Sequence, residues 1–143
     1  MFSSLQDIAA AASALLAGAA VGMAWVSAIA SPNCSYDRLD YSRADGHVRE
    51  LLKRTSTPTA GVLLGAAALA LLGGAMGAAT LCFLAAAGFF SNTWTLAPQK
   101  KREVAPGIKR RPSKKSQRVV AVSLTLLFTV AALIGGVLAV FKV

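Results

Sequence analysis

Hydrophobic and polar positions alternate along this chain in long blocks, with no period of two or of seven running through its whole length. The longest block, Thr55 to Gln99, holds 45 residues without a charged side chain and is dominated by Ala, Leu and Gly. A bilayer core is about 30 Å thick and takes roughly 20 apolar residues of helix, so this block is two spans long and must fold back on itself. The fold-back point is Leu72-Gly73-Gly74-Ala75-Met76-Gly77, where glycine can take the positive φ of a tight helix-to-helix turn. Ile8 to Ser31 and Val119 to Phe141 are uncharged stretches of 24 and 23 residues, each enough for one further span. The pattern predicts an all-α, polytopic membrane protein with four transmembrane helices in an up-down bundle around a central helical hairpin. Spans are expected near 8–31, 57–73, 76–96 and 119–141, in a single domain with polar loops at 32–56 and 97–118.

Punctuation within the polar segments refines these boundaries. Ser31-Pro32-Asn33 is expected to end the first helix, because proline disfavours helical geometry at the residue before it. Ala28-Ile29-Ala30 has the spacing of a signal-cleavage site. The block before it, however, is longer than a secretory core and is preceded by no Lys or Arg, which favours a retained span. In the first polar segment Val48, Leu51 and Leu52 recur at helical spacing, with Ser42 or Asp45 available as a cap, so a short amphipathic surface helix is expected. Thr57-Pro58 is expected to open the second span, where proline costs little. The second loop combines Pro98, Pro106, Gly107 and Pro112 and is expected to be extended.

Charge then orients the bundle. The net charge of +9 could suggest a nucleic-acid binder, but 14 of the 15 Lys and Arg residues lie in the two polar segments or at the first residue of the last span. Four spans place both segments on one side, whereas three would place them on opposite faces, against the positive-inside rule. The expected arrangement is a bacterial inner membrane protein with cytoplasmic basic loops and outer termini, or by the same rule a mitochondrial inner membrane protein. Lys109, Arg110, Arg111, Lys114 and Lys115 are candidates for contact with anionic lipid or an acidic partner surface, and nucleic acid is not an expected partner.

Small residues supply the remaining signal. Gly18 and Gly22, Gly61 and Gly65, and Gly73 and Gly77 each repeat at four residues, the spacing at which helix backbones approach closely in lipid. These are the candidate packing positions. Catalysis and ion transport inside a membrane need ionisable groups, and the four spans carry none that is charged at neutral pH. Cys34 and Cys82 do not read as a disulfide framework, one histidine cannot make a tetrahedral zinc site, and neither cofactor nor metal is expected. The composition therefore points to an accessory or stabilising subunit of a larger membrane complex, in contact with lipid and with other membrane subunits.

One resemblance points elsewhere. Trp25-Val26-Ser27-Ala28-Ile29-Ala30-Ser31-Pro32 at the end of the first span, Gly46-His47 ahead of Pro58, and Asn92 ahead of Pro98 resemble the small four-helix membrane family that includes the anthrone oxygenases. The resemblance implies a cofactor-free membrane enzyme acting on a hydrophobic aromatic substrate, with His47, Trp25 and Asn92 as its site residues. The long basic third loop departs from that family's pattern.

Overall fold

The computed structural model describes residues 2–96 and 114–143. Its elements are α1 (Phe2–Trp25), a π turn (Val26–Ala30), α2 (Ser31–Arg38), α3 (Tyr41–Leu72), α4 (Met76–Thr95) and α5 (Lys114–Phe141). α1, the π turn and α2 form one continuous rod, so four helical rods result. Each has a segment long and apolar enough to cross a membrane, which makes the chain a multi-pass membrane protein. The rods form a closed ring: α1 packs on α3 and α5, and α4 packs on α3 and α5 from the opposite side.

The interior is built mainly from alanine, with Leu63 and Phe89 as its large fully buried members in mid-bundle. Larger side chains such as Leu15, Leu64, Leu84, Leu127 and Leu133 face outward. This inversion of a soluble core follows from the solvent, since lipid accepts leucine as readily as a protein interior does. Alanine inside brings the backbones together. Two glycines carry the closest approaches: a Cβ on Gly88 would lie 2.2 Å from the Phe128 ring, and one on Gly135 would lie 2.9 Å from Cys82 Sγ.

The hairpin turn answers the problem of backbone exposure in lipid. Gly74, at φ 78°, takes the left-handed conformation. The amide of Gly74 donates to the Leu71 carbonyl and that of Ala75 to the Ala70 carbonyl, the two bonds of a Schellman motif. The start of α4 is met from outside its own helix, because Ala78 N–H donates to the Val143 carbonyl oxygen at 3.0 Å. At the same end Lys142 pairs with Asp7. This turn and both ends of the described chain therefore share one end of the bundle.

Three boundary expectations are corrected. Pro32 does not end the first helix: it occupies one of the first two positions of α2, where a missing amide is harmless, and the preceding π turn reroutes the Ser31 amide to the Val26 carbonyl. Nor is there a separate amphipathic helix at 42–54, since α3 runs unbroken from Tyr41 to Leu72 with Asp40 at its N-cap and Pro58 inside it. Neither Ser42 nor Asp45 is the cap. Pro58 removes one amide, and hydroxyls around it add bonds to the ladder: Thr55 to the Leu51 carbonyl, Ser56 to Leu52 and Thr59 to Thr55. At 1.5 Å per residue α3 is about 48 Å long, so its first dozen or so residues project beyond a 30 Å core.

Gly88→Ala should lower stability by about 1–3 kcal/mol despite the better helix propensity of alanine, because the Phe128 ring must move. Gly61→Ala, where a Cβ meets nothing within 4 Å, should be neutral or stabilising. Thermal unfolding in detergent measures both, and equal effects at the two sites would refute the packing assignment.

Candidate functional site

The polar chemistry collects at the end opposite the Gly74 turn. α2 and the first half of α3 stand side by side there, and the start of α5 crosses them. Arg118 Nη1 donates to Asp45 Oδ1 at 2.6 Å, with both side chains mostly buried. The same guanidinium donates to the Tyr36 hydroxyl, and its carbon lies 5.4 Å and 5.8 Å from the Tyr36 and Tyr41 ring centroids. The two tyrosine rings are 5.5 Å apart. Charge pairing, a phenol acceptor and two aromatic faces thus converge on one cation, with each face worth about 0.5–1 kcal/mol at an exposed site and more when desolvated. The cluster ties α5 to the α2–α3 pair at the edge of the hydrocarbon. Beneath it Ala28, Val48, Leu52, Leu96 and Ala121 form a buried apolar layer.

His47 is exposed on α3, with Nδ1 3.0 Å from the Ser35 hydroxyl. That hydroxyl is also 2.8 Å from the Ser31 carbonyl, an acceptor only, so the Ser35 proton goes to Ser31 and His47 Nδ1–H donates to Ser35 Oγ. In this arrangement the imidazole does not activate the serine as a base. Two turns further along α3, Arg54 donates to Glu50 at 2.7 Å, and this hydrogen bond and charge hold the Glu50 carboxyl below the usual carboxylate range. The pair is solvated and adds little to stability.

Inside the bundle each rod contributes buried polar groups toward this end: Ser27, then Ser56 and Thr59, then Asn92, then Thr125 and Thr129. Asn92 is fully buried and its Nδ2 donates to Thr125 Oγ1 at 2.9 Å. Thr125 in turn donates to the Ala121 carbonyl. This amide-to-hydroxyl bond joins α4 to α5, an interaction worth about 0.6 kcal/mol on average in membrane proteins. Ser13 makes a second buried cross-helix bond, to the Ala66 carbonyl at 2.8 Å.

The candidate residues separate on this frame. Trp25 faces outward from α1, His47 sits on the exposed side of α3, and Asn92 is enclosed between α4 and α5, so the three do not share one set of surroundings. Of the glycine pairs, a Cβ on Gly73 would meet the Ala10 backbone at 3.0 Å and one on Gly77 the Val143 carbonyl oxygen at 3.0 Å, while one on Gly65 would make ordinary contact with Leu16. Gly18, Gly22 and Gly61 face outward, with nothing within 4 Å of a Cβ built there. Lys109, Arg110 and Arg111 lie outside the described residues, and Lys114 and Lys115 open α5. Cys34 and Cys82 are free thiols, the first exposed and the second buried. Among the described residues no three His, Cys, Asp or Glu side chains gather as a metal site would require. Asp45, Tyr36 and Tyr41, which the sequence offers with His47 and Asn92 as polar residues able to meet at the membrane interface, do meet there, but around Arg118, which the sequence marks only as a lone Arg at the head of a span.

Fold and site define a class, a four-span helical-bundle membrane protein with a polar clamp at one end. No family model, no curated protein and no solved structure matches the chain.

Asp45→Ala would leave the Arg118 guanidinium mostly buried without its carboxylate, at a cost of about 1–3 kcal/mol. Replacing both Asp45 and Arg118 by leucine should recover part of that loss, since the apolar pair needs no desolvation. If the double variant unfolds at a lower temperature than Asp45→Ala, the unpaired Arg118 charge is not what the single substitution costs.

Proposed function

We propose that this protein is an accessory or stabilising subunit of a larger membrane complex, acting through helix packing. The observation that carries this reading is a division among its glycines. Gly73, Gly77, Gly88, Gly135 and Gly136 have a neighbouring element within about 3 Å of a built Cβ, whereas Gly18, Gly22 and Gly61 keep the same spacing on an outer surface that the chain itself leaves uncovered. Gly18 also borders a shallow apolar groove of about 250 Å³ between α1 and α5, with Ala14, Val21 and Val137. A helix from another subunit gains close backbone contact there, which is the main source of helix association in lipid. The basic segment 100–118 adds a second mode of contact, through Lys109, Arg110, Arg111, Lys114 and Lys115, with anionic headgroups or an acidic partner surface.

In this reading the membrane is a bacterial inner membrane, with the Arg118 end cytoplasmic and the Gly74 turn outside. The positive-inside rule supports that orientation, because the polar segments join the rods at the end that carries the clamp.

A photo-crosslinking residue at Gly18 should capture a discrete membrane-protein partner in native membranes, while the same probe at Leu84, exposed on α4, should not. Gly18→Leu should abolish co-purification of that partner without lowering thermal stability. Equal capture at both positions, or none at Gly18, would sink the subunit reading.

Orientation is tested separately. With Cys34 and Cys82 replaced by alanine, single cysteines at Ser42 and Ser113 should react with a membrane-impermeant reagent only from the cytoplasmic side, and one at Ser3 only from outside. Labelling of Ser42 and Ser113 from opposite faces would be incompatible with the four-span arrangement.

A further inference from the structure

A groove of about 410 Å³ opens on the outer surface between the first rod and α3, within the range of roughly 300–1,000 Å³ that ligand sites occupy. Ala19, Gly22 and Val26 form one wall, and Leu51, Thr55 and Pro58 the other. Two backbone irregularities border it. The π turn begins at Val26, and Pro58 supplies no amide hydrogen to the Arg54 carbonyl four residues back. An open carbonyl in hydrocarbon costs several kcal/mol, so this end of the groove belongs at headgroup depth. Helix length agrees: about 20 residues counted back from Gly73 reach the membrane boundary close to Arg54.

Above the groove, the α3 wall continues as a stripe. His47, Leu51, Arg54 and Pro58 follow one another at spacings of four, three and four, so they share a face of the helix. Side chains lean toward a helix N-terminus, which carries the Arg54 guanidinium away from the hydrocarbon and toward the headgroups. Arg54 is well exposed and is shared only with the solvated Glu50, while His47 presents its ring at the same surface. Arg54 does not itself line the groove but lies on α3 between the lining residues Leu51 and Pro58, and an apolar slot with a cation beside it matches an amphipathic anion.

We propose that this groove holds one anionic phospholipid, with an acyl chain lying along Gly22 and Pro58 and the phosphate against Arg54. Charge complementarity selects this occupant. A guanidinium binds phosphate oxygens in a bidentate fork, and a lipid brings its charge to the depth at which Arg54 sits. A zwitterionic lipid brings an ammonium group as well, which offsets the attraction. The inference assigns Gly22 to lipid and leaves the subunit reading the Gly18 groove, which lies on the other flank of α1.

The test uses the purified full chain in phosphatidylcholine vesicles, with a trace of phosphatidylglycerol or phosphatidylcholine spin-labelled low on one acyl chain. The motionally restricted component of the spectrum should be larger for phosphatidylglycerol. Arg54→Gln should lower that preference about fivefold, the effect of one headgroup cation, and Glu50→Gln should raise it by freeing the guanidinium. Gly22→Leu fills the slot at a position where a Cβ meets nothing within 4 Å, and should reduce the restricted component for both lipids with thermal stability unchanged. Equal restriction of the two lipids by the unaltered protein would overturn the proposal. So would a restricted component that Gly22→Leu leaves unchanged for both lipids, or a groove occupied by a second polypeptide in crosslinking from Gly22.

Discussion

Helices in a bilayer cannot be held together by burying apolar surface, because the lipid they leave is as apolar as the neighbour they meet. What remains is close contact, and close contact requires small side chains. The alanine interior, Gly88 under the Phe128 ring, Gly135 against Cys82 and Gly73 against the Ala10 backbone all follow from that single constraint. So does the outward placement of the leucines. The constraint also makes these approaches intolerant of volume: at Gly73 an added methyl group meets the Ala10 backbone, and at Gly88 and Gly135 it meets a packed ring and a thiol that must shift.

Polar groups mostly follow the complementary rule that an unpaired group in hydrocarbon is costly, the buried Asn92 Oδ1 being left without a partner. Hydroxyls of Thr59, Thr125 and Thr129 return to carbonyls of their own helices, and Asn92 and Ser13 cross between helices. Charged groups are reserved for the ends. Arg118 is the instructive case: it opens the last span, where a solvated cation would have sufficed for orientation, yet it is drawn into Asp45, Tyr36 and Tyr41. That contact fixes the head of α5 relative to the projecting α2–α3 pair, so a specific ion pair as well as lipid holds this end of the last span.

Block structure was legible in the sequence because it is a property of composition: the four spans, the Gly73-Gly74 turn and the gathering of cations toward one end could all be read from residue order. Helix continuity was not. Pro32 and Pro58 look like boundaries when proline is considered alone, but the π turn carries the helix through the first, and α3 runs past the second with one ladder bond missing and added hydroxyl bonds from Thr55, Ser56 and Thr59 around it. Direction was not legible either. A four-residue glycine repeat fixes which residues share a face and leaves open what the face meets, and Gly88, which belongs to no such repeat, carries no sequence signal of its contact with Phe128. The Asn92–Thr125 and Arg118–Asp45 contacts join residues 33 and 73 positions apart, and no local pattern encodes them.

The two helix irregularities lie on facing rods at nearly one level, and this coincidence has a structural consequence. The π turn starts at Val26 and Pro58 lies across from it on the same groove. A regular pair of helices with alanine and glycine at this level would close, as α4 and α5 do around Gly88 and Gly135. Here one rod is widened by an i to i−5 bond, the other carries a pyrrolidine ring where a straight ladder would run, and the small residues Ala19 and Gly22 do not fill the gap. The result is an open slot in a bundle that elsewhere minimises space. Both irregularities also sit near the boundary reached by about 20 residues of α3 counted from its turn, where water can satisfy the carbonyl that Pro58 leaves open. The features that would be most costly at the bilayer centre are therefore placed where their cost is least, and the same placement puts the slot within reach of Arg54.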